Sequence, residues 1–220
     1  MQTVSVSIMA HPARADQVSE LQSKLDRPSV VTWDQKQDRI DTGTRALLSY
    51  DREATHHCVI QDDAIVPRDL ITGIEKILNS PSMRKDVPLC LYAGNIKSFV
   101  RRFRQAERNG VYSWLLMSGL NWGVAVVIPT LEIDPLVSFM LNPVRREPQY
   151  DLRMSRYFEF KRIAVWYPIP SLVDHRHGPS LLGQGDRRSA WKFIGEDASA
   201  LDFKDTRKSA YISLTRRFIG

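Results

Sequence analysis

A short apolar run that ends in two adjacent aspartates, within the first third of the chain, sets the firmest limit on the fold. Residues 58–60 are apolar, Gln61, Asp62 and Asp63 follow, and residues 64–66 are apolar again. A run this short and this apolar is typical of a parallel strand buried on both faces. Burying two unpaired carboxylates would cost too much free energy, so both should lie where the strand ends, facing a cation or solvent.

The two carboxylates indicate a metal site at the carboxyl edge of the sheet. Ligands of open α/β sheets bind outside the carboxyl ends of the strands, and a hard divalent cation takes carboxylate oxygens together with the phosphates of its substrate. Asp62 and Asp63 would therefore suit a nucleoside diphosphate that is carried with its metal. Aspartate is also common in turns and helix caps, so a purely structural pair is the alternative.

Length and composition indicate one globular domain with a basic surface. The chain has 220 residues, 43% of them hydrophobic and 25% charged, which is ordinary for a soluble domain. The formal net charge is +6, and arginine and lysine concentrate in residues 101–108, 145–162 and 187–217. This balance favours polyanionic partners, such as nucleic acid, nucleotide phosphates or an anionic cell envelope.

Cysteine usage and hydropathy indicate a cytoplasmic protein without a membrane span. Cys58 and Cys90 lie in apolar, strand-like runs, which is typical of core residues in a reducing compartment. The N-terminus enters a strand pattern directly, without the basic and long apolar segments of a signal peptide. The chain also has no uninterrupted apolar run of about 18 residues, the length that a membrane helix needs.

The N-terminal residues predict a βαβ unit. Residues 3–9 alternate between polar and apolar as a strand does, and residues 16–26 have the apolar spacing of a helix. Residues 30–33 form the second strand, which ends at Asp34. An opening of this kind favours an α/β fold with parallel strands.

A helix that contains Arg45 is predicted to lead into the aspartate strand. Residues 35–41 are mostly polar and predict a loop, after which Thr42 or Thr44 can cap the helix. The free N–H groups at a helix N-terminus bind anions, and Arg45 in the first turn would add positive charge. The sequence therefore predicts an anion site near Arg45.

The rest of the chain alternates between helices and strands. Helices are predicted at 67–78, 130–141 and 150–160, and strands at 89–92, 114–129 and 163–168. Residues 96–113 interleave arginine with aromatic residues and are either a solvated helix or loop, or a mobile segment that binds an acceptor. Gly123 should allow the backbone to pass close to a bound sugar.

Three segments resemble the GT-A fold of nucleotide-sugar glycosyltransferases, most closely the lipooligosaccharide-type galactosyltransferases and small related enzymes of bacteria and phages. They are residues 42–64, with a helix and the acidic strand, the strand at 122–129, and the closing segment 170–175. The resemblance implies a Rossmann-like α/β domain over residues 1–178, with a central, mostly parallel sheet flanked by helices. Residues 179–220 would be an extension that packs on or near the active site.

The resemblance also implies a metal centre. Asp62 and Asp63 would hold Mn²⁺ or Mg²⁺ on the diphosphate of the donor, and His175 would complete the metal shell. A neutral imidazole beside carboxylates suits Mn²⁺ well. His177 is the competing candidate, and a histidine that donates to backbone oxygens is the structural alternative.

The same resemblance implies a catalytic base and a donor site. An inverting transferase needs a carboxylate to take the proton of the acceptor hydroxyl, and Asp151 lies at the head of the helix beyond the strand at 122–129. In a retaining enzyme that role would differ. Trp33 could stack on the nucleoside or belong to the core, and Asp34 could bind the ribose or base or make a turn. The residues expected to bind the nucleotide sugar are His11, Arg14, Trp33, Asp34, Arg45, Gln61, Asp62, Gly123, Arg187 and Arg188.

The expected function is transfer of a sugar from a nucleoside diphosphate donor, a UDP-sugar by preference, to a hydroxyl acceptor. The basic charge permits a hydroxymethylated base in DNA, as in phage DNA-modifying glycosyltransferases, and equally a protein or a glycan. A phage-encoded enzyme would work in the host cytoplasm. The main alternative is a non-catalytic, basic nucleic-acid-binding protein. A metal-dependent nuclease or phosphatase would need a further cluster of acidic residues and histidines, which the chain lacks.

Overall fold

Helices cover both faces of one central sheet. The computed structural model describes residues 1–81, 83–108, 113–144, 147–176, 189–206 and 208–212. The strands are β1 (Val4–Ala10), β2 (Val30–Trp33), β3 (His56–Gln61), β4 (Ala64–Ile65), β5 (Leu89–Cys90), β6 (Trp114–Met117), β7 (Ala125–Pro129), β8 (Val165–Pro168), β9 (Asp174–His175) and β10 (Ser209–Ile212). The helices are α1 (Ala15–Lys24), α2 (Arg39–Leu48), α3 (Leu70–Leu78), α4 (Lys97–Arg108), α5 (Thr130–Met140) and α6 (Tyr150–Lys161). None of these helices combines the length and the apolar composition needed to cross a lipid bilayer.

The central sheet is mixed. Its eight described strands follow the order β10, β6, β8, β5, β7, β3, β1, β2, while β4 and β9 pair separately. Strand β1 is parallel to both β2 and β3, and the pairs β5–β8 and β6–β10 are parallel as well. Strand β7 is antiparallel to β3 and β5, and β6 is antiparallel to β8. The predicted α/β class is confirmed, and the parallel strands at the β2 end place three carboxyl termini side by side.

Strand β3 is buried on both faces, as its apolar run predicts. Cys58 and Ile60 belong to the core that includes α1 and α3, whereas Val59 belongs to the core that includes α2, α5 and α6. The neighbouring strand β7 repeats the pattern, with Val127 in the first core and Val126 in the second. Because successive side chains point to opposite faces, apolar residues that follow one another, as at 58–60, indicate a strand covered on both sides.

Helix α2 begins earlier than predicted. Its N-cap is Asp38, whose side chain accepts hydrogen bonds from two backbone N–H groups of the first turn, at 2.8 and 3.4 Å. The predicted caps were wrong, because Thr42 and Thr44 lie within the helix and the Thr42 hydroxyl donates back to the Asp38 carbonyl at 3.0 Å. Arg45 consequently lies in the last turn, and the arginine of the first turn is Arg39.

The segment 114–129 forms two strands, where one was predicted. Strand β6 lies between β8 and β10, whereas β7 lies between β3 and β5, so the chain crosses the sheet between them. The Tyr167 hydroxyl holds this crossing, since it accepts from the Asn121 N–H at 3.1 Å and lies 3.3 Å from the Gly119 carbonyl. The crossing residues are largely apolar, which is why the pattern resembles a continuous strand.

The described part of the tail packs against the central sheet. Strand β10 extends the sheet beside β6, and Ala190 and Trp191 pack against the two opposite cores. The Ala190 N–H donates to the Asp174 carboxylate, next to His175. The predicted boundary at 178 lies outside the described residues, and the role of the extension at the active site stays a prediction.

Two histidines of β3 are buried and neutral. The His57 Nε2 atom lies 2.9 Å from the Ala46 carbonyl, to which it donates, and Nδ1 accepts from the Ser5 hydroxyl at 2.8 Å. His56 Nδ1 lies 3.0 Å from the Thr55 hydroxyl. Burial lowers the pKa of both histidines from 6.5 to about 4. The folded protein therefore resists their protonation.

We expect the free energy of unfolding to fall as the pH decreases from 6.5 toward about 4. Between about pH 4 and pH 6.5 these histidines bind protons in the unfolded chain but not in the folded one. Their contribution to the free energy of unfolding is therefore fully present above pH 6.5 and is lost progressively below it. Near pH 5 each histidine should lower the unfolding free energy by about 2 kcal/mol relative to about pH 8. Urea unfolding at the two pH values measures the loss, which should be smaller in His57→Asn. Equal wild-type stability at both values would contradict this account.

Candidate active site

The carboxyl ends of β1, β2 and β3 meet at one edge of the sheet, because these parallel strands are neighbours. A cavity of about 320 Å³ opens there, bounded by the first turns of α2 and α6. Its lining residues are Met9, Ala10, His11, Arg14, Asp34, Arg39, Thr42, Gln61, Asp62, Asp63, Gln149, Tyr150 and Asp151.

Arg14 clamps the aspartate pair. The short 3₁₀ turn after β1 places its Nη1 atom 2.7 Å from Asp62 Oδ1, and the same atom donates to Asp63 Oδ2. The backbone N–H of His11 donates to Asp62 Oδ2 at 2.7 Å. Both carboxylates are buried, with only 4% and 3% of their surface exposed, and the guanidinium compensates for their desolvation. The predicted position of the pair at the end of a buried strand is thus observed, with an arginine as the facing cation.

His175 approaches the pair from the separate ribbon of β4 and β9, where it lies opposite Ala64. Its Nε2 atom is 3.5 Å from Asp63 Oδ1. Its Nδ1 atom lies 3.0 Å from the Arg176 carbonyl, which can only accept, so Nδ1 carries the proton. In the neutral ring Nε2 therefore presents a lone pair to the Asp63 side.

Burial lowers the pKa of His175 below its ordinary value. The hydrogen bond to the Arg176 carbonyl opposes this effect, whereas the charge of Arg14 reinforces it. The carboxylates of Asp174 and Asp62 act to raise the pKa. The neutral, ligand-competent form of the imidazole is the one that this environment favours.

The donor set near Asp63 fits a divalent cation in part. Two cis ligands of one octahedral ion lie roughly 3.0–3.4 Å apart, close to the 3.5 Å between Asp63 Oδ1 and His175 Nε2. The oxygens of Asp62 are directed to His11 and Arg14, so this residue supports Arg14 in the observed arrangement. Among the described residues, no three His, Cys, Asp or Glu side chains are arranged so that they could hold one metal ion together. A bound Mn²⁺ or Mg²⁺ would thus take two protein ligands and complete its shell with phosphate and water oxygens.

Arg39 is the cation that faces the cavity from α2. It lies in the first turn, and among the described residues it makes no ion pair. Asp34, at the end of β2, accepts from the Lys36 N–H and the Thr42 hydroxyl, both at 3.1 Å. Burial would raise the pKa of Asp34, but these hydrogen bonds together lower it. Asp34 therefore ties the loop after β2 to the helix that presents Arg39.

Arg45 and Trp33 do not line the cavity. The Arg45 side chain donates to Asp41 at 2.8 Å and to the Trp33 carbonyl at 2.9 Å. The Trp33 side chain is half-buried and packs against the core on the α1 and α3 side. Of the two roles predicted for Trp33, the structure therefore shows packing against the core. Arg45 links α2 to β2.

Tyr150 is held between two glycines. A Cβ atom at Gly43 would lie 2.6 Å from the ring, and one at Gly123 would lie 2.8 Å from it, so any larger residue at either position would clash. The Tyr150 hydroxyl donates to the Gly123 carbonyl at 2.8 Å and is hydrogen-bonded to Gln61. Burial, and after it the Asp151 charge, raise the pKa of this phenol, so it stays neutral. The close backbone passage predicted at Gly123 thus accommodates Tyr150.

Asp151 follows Tyr150 in the first turn of α6 and lines the cavity. Its Oδ1 atom accepts from the Leu152 N–H at 2.9 Å. A Cβ atom at Gly123 would lie 3.0 Å from the Asp151 Cβ, so the glycine also leaves the space that the Asp151 side chain occupies. The predicted base and the aspartate pair therefore face one cavity from different elements.

Several residues that line the cavity were not predicted from the sequence, and three of the predicted residues lie outside the described part of the chain. Arg39 and Tyr150 were not predicted, although an N-cap at Asp38 would have put Arg39 in the first turn. Arg187, Arg188 and His177 lie outside the described residues, so their predicted roles stay predictions. The further lining residues that were not predicted are Met9, Ala10, Thr42 and Gln149.

Comparison with known proteins leaves the site to be interpreted from its geometry. No protein-family model matches the chain, and a search of curated proteins likewise gives no match.

Proposed function

We propose that the protein is a metal-dependent glycosyltransferase of the GT-A type that uses a nucleoside diphosphate sugar, by preference a UDP-sugar. One observation carries the proposal: a single cavity at the carboxyl edge of the parallel strands brings together a clamped carboxylate pair, a cation and a separate carboxylate. Such an edge is where nucleotides bind in open α/β sheets. The order of these parts along the chain supports the GT-A assignment, since the acidic pair ends β3 and Asp151 opens the helix α6 beyond β7.

The two sides of the cavity suit the two substrates. Arg39, at the N-terminal turn of α2, offers a guanidinium to the donor diphosphate, and such groups bind phosphate oxygens in a bidentate manner. Asp63 and His175 would hold the divalent cation, which when bound neutralises the negative charge on the leaving diphosphate. Asp34 follows β2 and accepts from Thr42 of α2, and both line the cavity, where the ribose hydroxyls of the donor would find acceptors and donors.

Asp151 would act on the acceptor in an inverting reaction. Its carboxylate takes the proton of the acceptor hydroxyl as the oxygen attacks the anomeric carbon. The bond from that carbon to the diphosphate breaks, and the nucleoside diphosphate leaves with the electron pair. Tyr150 keeps Asp151 in place through its position between Gly43 and Gly123.

A ligand screen tests this proposal directly. Thermal unfolding is measured with UDP, GDP, UDP-glucose and UDP-galactose, each with Mn²⁺ and with EDTA. We expect one nucleotide family to raise the melting temperature only with the metal, by about 5–10 °C at a ligand concentration near 100 times its Kd. If none of these nucleotides changes the melting temperature with Mn²⁺, the proposal is wrong.

A further inference from the structure

Helix α4 carries a row of cations on one face. Lys97, Arg101, Arg104 and Arg108 follow one another at intervals of three or four residues, which aligns them along the helix. All four side chains are exposed, and within the described part of the chain none forms an ion pair with a carboxylate. We call these four residues the basic row.

The other face of α4 is anchored to the protein. Phe103 is fully buried, and its ring centroid lies 4.9 Å from that of Trp191. The Phe99 ring lies 5.0 Å from that of Trp122. Because these contacts fix the rotation of the helix about its axis, they hold the basic row toward solvent.

The basic row lines a groove of about 350 Å³ together with Asn95 and Val100. Among the described residues that line the groove, four carry a positive charge and none is acidic, so their charges attract an anion. From its first to its last residue the row is roughly 16 Å long. A surface of this length and sign matches a polyanion with regularly spaced charges.

The packing of α4 also selects among polyanions. An interfacial helix inserts its apolar face into lipid, but here that face is occupied by Trp122 and Trp191. Single strands are bound through aromatic side chains that stack on bases, but Phe99 and Phe103 pack against the protein. A duplex instead offers a continuous line of phosphates and needs only cations.

We infer that the basic row binds the phosphodiester backbone of double-stranded nucleic acid. Such contacts position the duplex without reading its sequence. The row is linked to the cavity, since Phe99 packs on Trp122 and the adjacent Gly123 contacts Tyr150 and Asp151. That the duplex serves as the acceptor rests on the proposed function, whereas the binding itself does not.

Fluorescence anisotropy with labelled 20-base-pair DNA and RNA duplexes tests the inference. With four phosphate contacts, the association constant should fall about 100-fold between about 50 and 200 mM NaCl. In Arg101→Gln/Arg104→Gln, the slope of log K against log salt should be shallower by about 2, and binding at low salt should weaken at least about tenfold. Binding of either duplex in this manner supports the inference, and the two arms show which nucleic acid is preferred.

The matched control is Arg52→Gln/Lys85→Gln, which removes two exposed cations elsewhere and gives the same change in formal net charge, from +6 to +4. This variant should bind duplexes as the wild type does. If both variants bound the duplexes equally more weakly than the wild type, the effect would come from overall charge, and the inference would be wrong. The failure of both duplexes to bind at low salt, or binding of phosphatidylserine vesicles in their place, would also overturn it.

The nucleotide screen separates this inference from the proposed function. The row variant should keep the wild-type response to nucleotide and Mn²⁺, because the four cations lie outside the cavity lining. Nucleotide binding without duplex binding would refute the role of the basic row alone. Duplex binding without any nucleotide response would refute the proposed transferase alone.

Discussion

Replacing Asp63 with asparagine is expected to abolish the Mn²⁺-dependent response to nucleotide and to lower donor turnover about 100-fold or more. Asparagine keeps the shape of the side chain but removes the negative charge that Arg14 and His175 face. Turnover is measured as release of UDP from the sugar nucleotide selected by the screen, with water as the acceptor. The thermal shift with nucleotide and Mn²⁺ reports binding separately.

The control for this prediction is Asp202→Asn, which removes one exposed carboxylate far along the chain and should leave turnover unchanged. Asp63→Asn should remain folded, because Arg14 keeps Asp62 as a partner. Circular dichroism verifies this. Wild-type turnover and a normal Mn²⁺ response in Asp63→Asn would exclude a catalytic metal at this position.

Replacing Asp151 with asparagine should lower turnover without the loss of nucleotide binding that is expected for Asp63→Asn. We expect turnover to fall by about 10²- to 10⁴-fold, the usual contribution of a positioned general base, while nucleotide binding with Mn²⁺ stays close to wild type. The reason is that these residues lie on different elements: Asp151 is on α6, whereas the aspartate pair follows β3 and Arg39 is on α2. The same UDP-release and thermal-shift measurements decide the outcome.

Asp151→Glu serves as the conservative comparison, because it keeps the carboxylate but moves it by one methylene. It should recover part of the activity that the asparagine variant loses. Undiminished turnover in Asp151→Asn would show that another group takes the proton. Loss of nucleotide binding in that variant would instead place Asp151 in the donor site.

The sequence predicted those features of the fold that depend on which residues are buried. The apolar run at 58–60 reflects helices on both faces of the sheet, which cover each of these successive side chains. The start of α2 was harder to predict, because Asp38, Thr42 and Thr44 can each cap a helix. The choice among them depends on where the chain leaves β2, which is set by tertiary contacts such as those of Asp34.

The candidate site was predictable where it depends on strand ends. His11, Asp34 and the aspartate pair each follow a strand, so the parallel arrangement of β1, β2 and β3 brings them to one edge. Arg39 and Tyr150 reach the cavity from helices, where orientation depends on the rotation of the helix and on packing against distant glycines. Spacing along the chain contains little information about such contacts.

Attempts to redesign the cavity for bulkier substrates meet an obstacle at Tyr150. The ring lies against Gly43 of α2, so a larger residue at position 43 would displace Tyr150 and, with it, the neighbouring Asp151. If the proposed function is correct, donor and acceptor selectivity cannot be altered independently through these positions. Gln149 lines the same cavity and is only half-buried, so libraries that vary it should change substrate choice with less loss of folded protein.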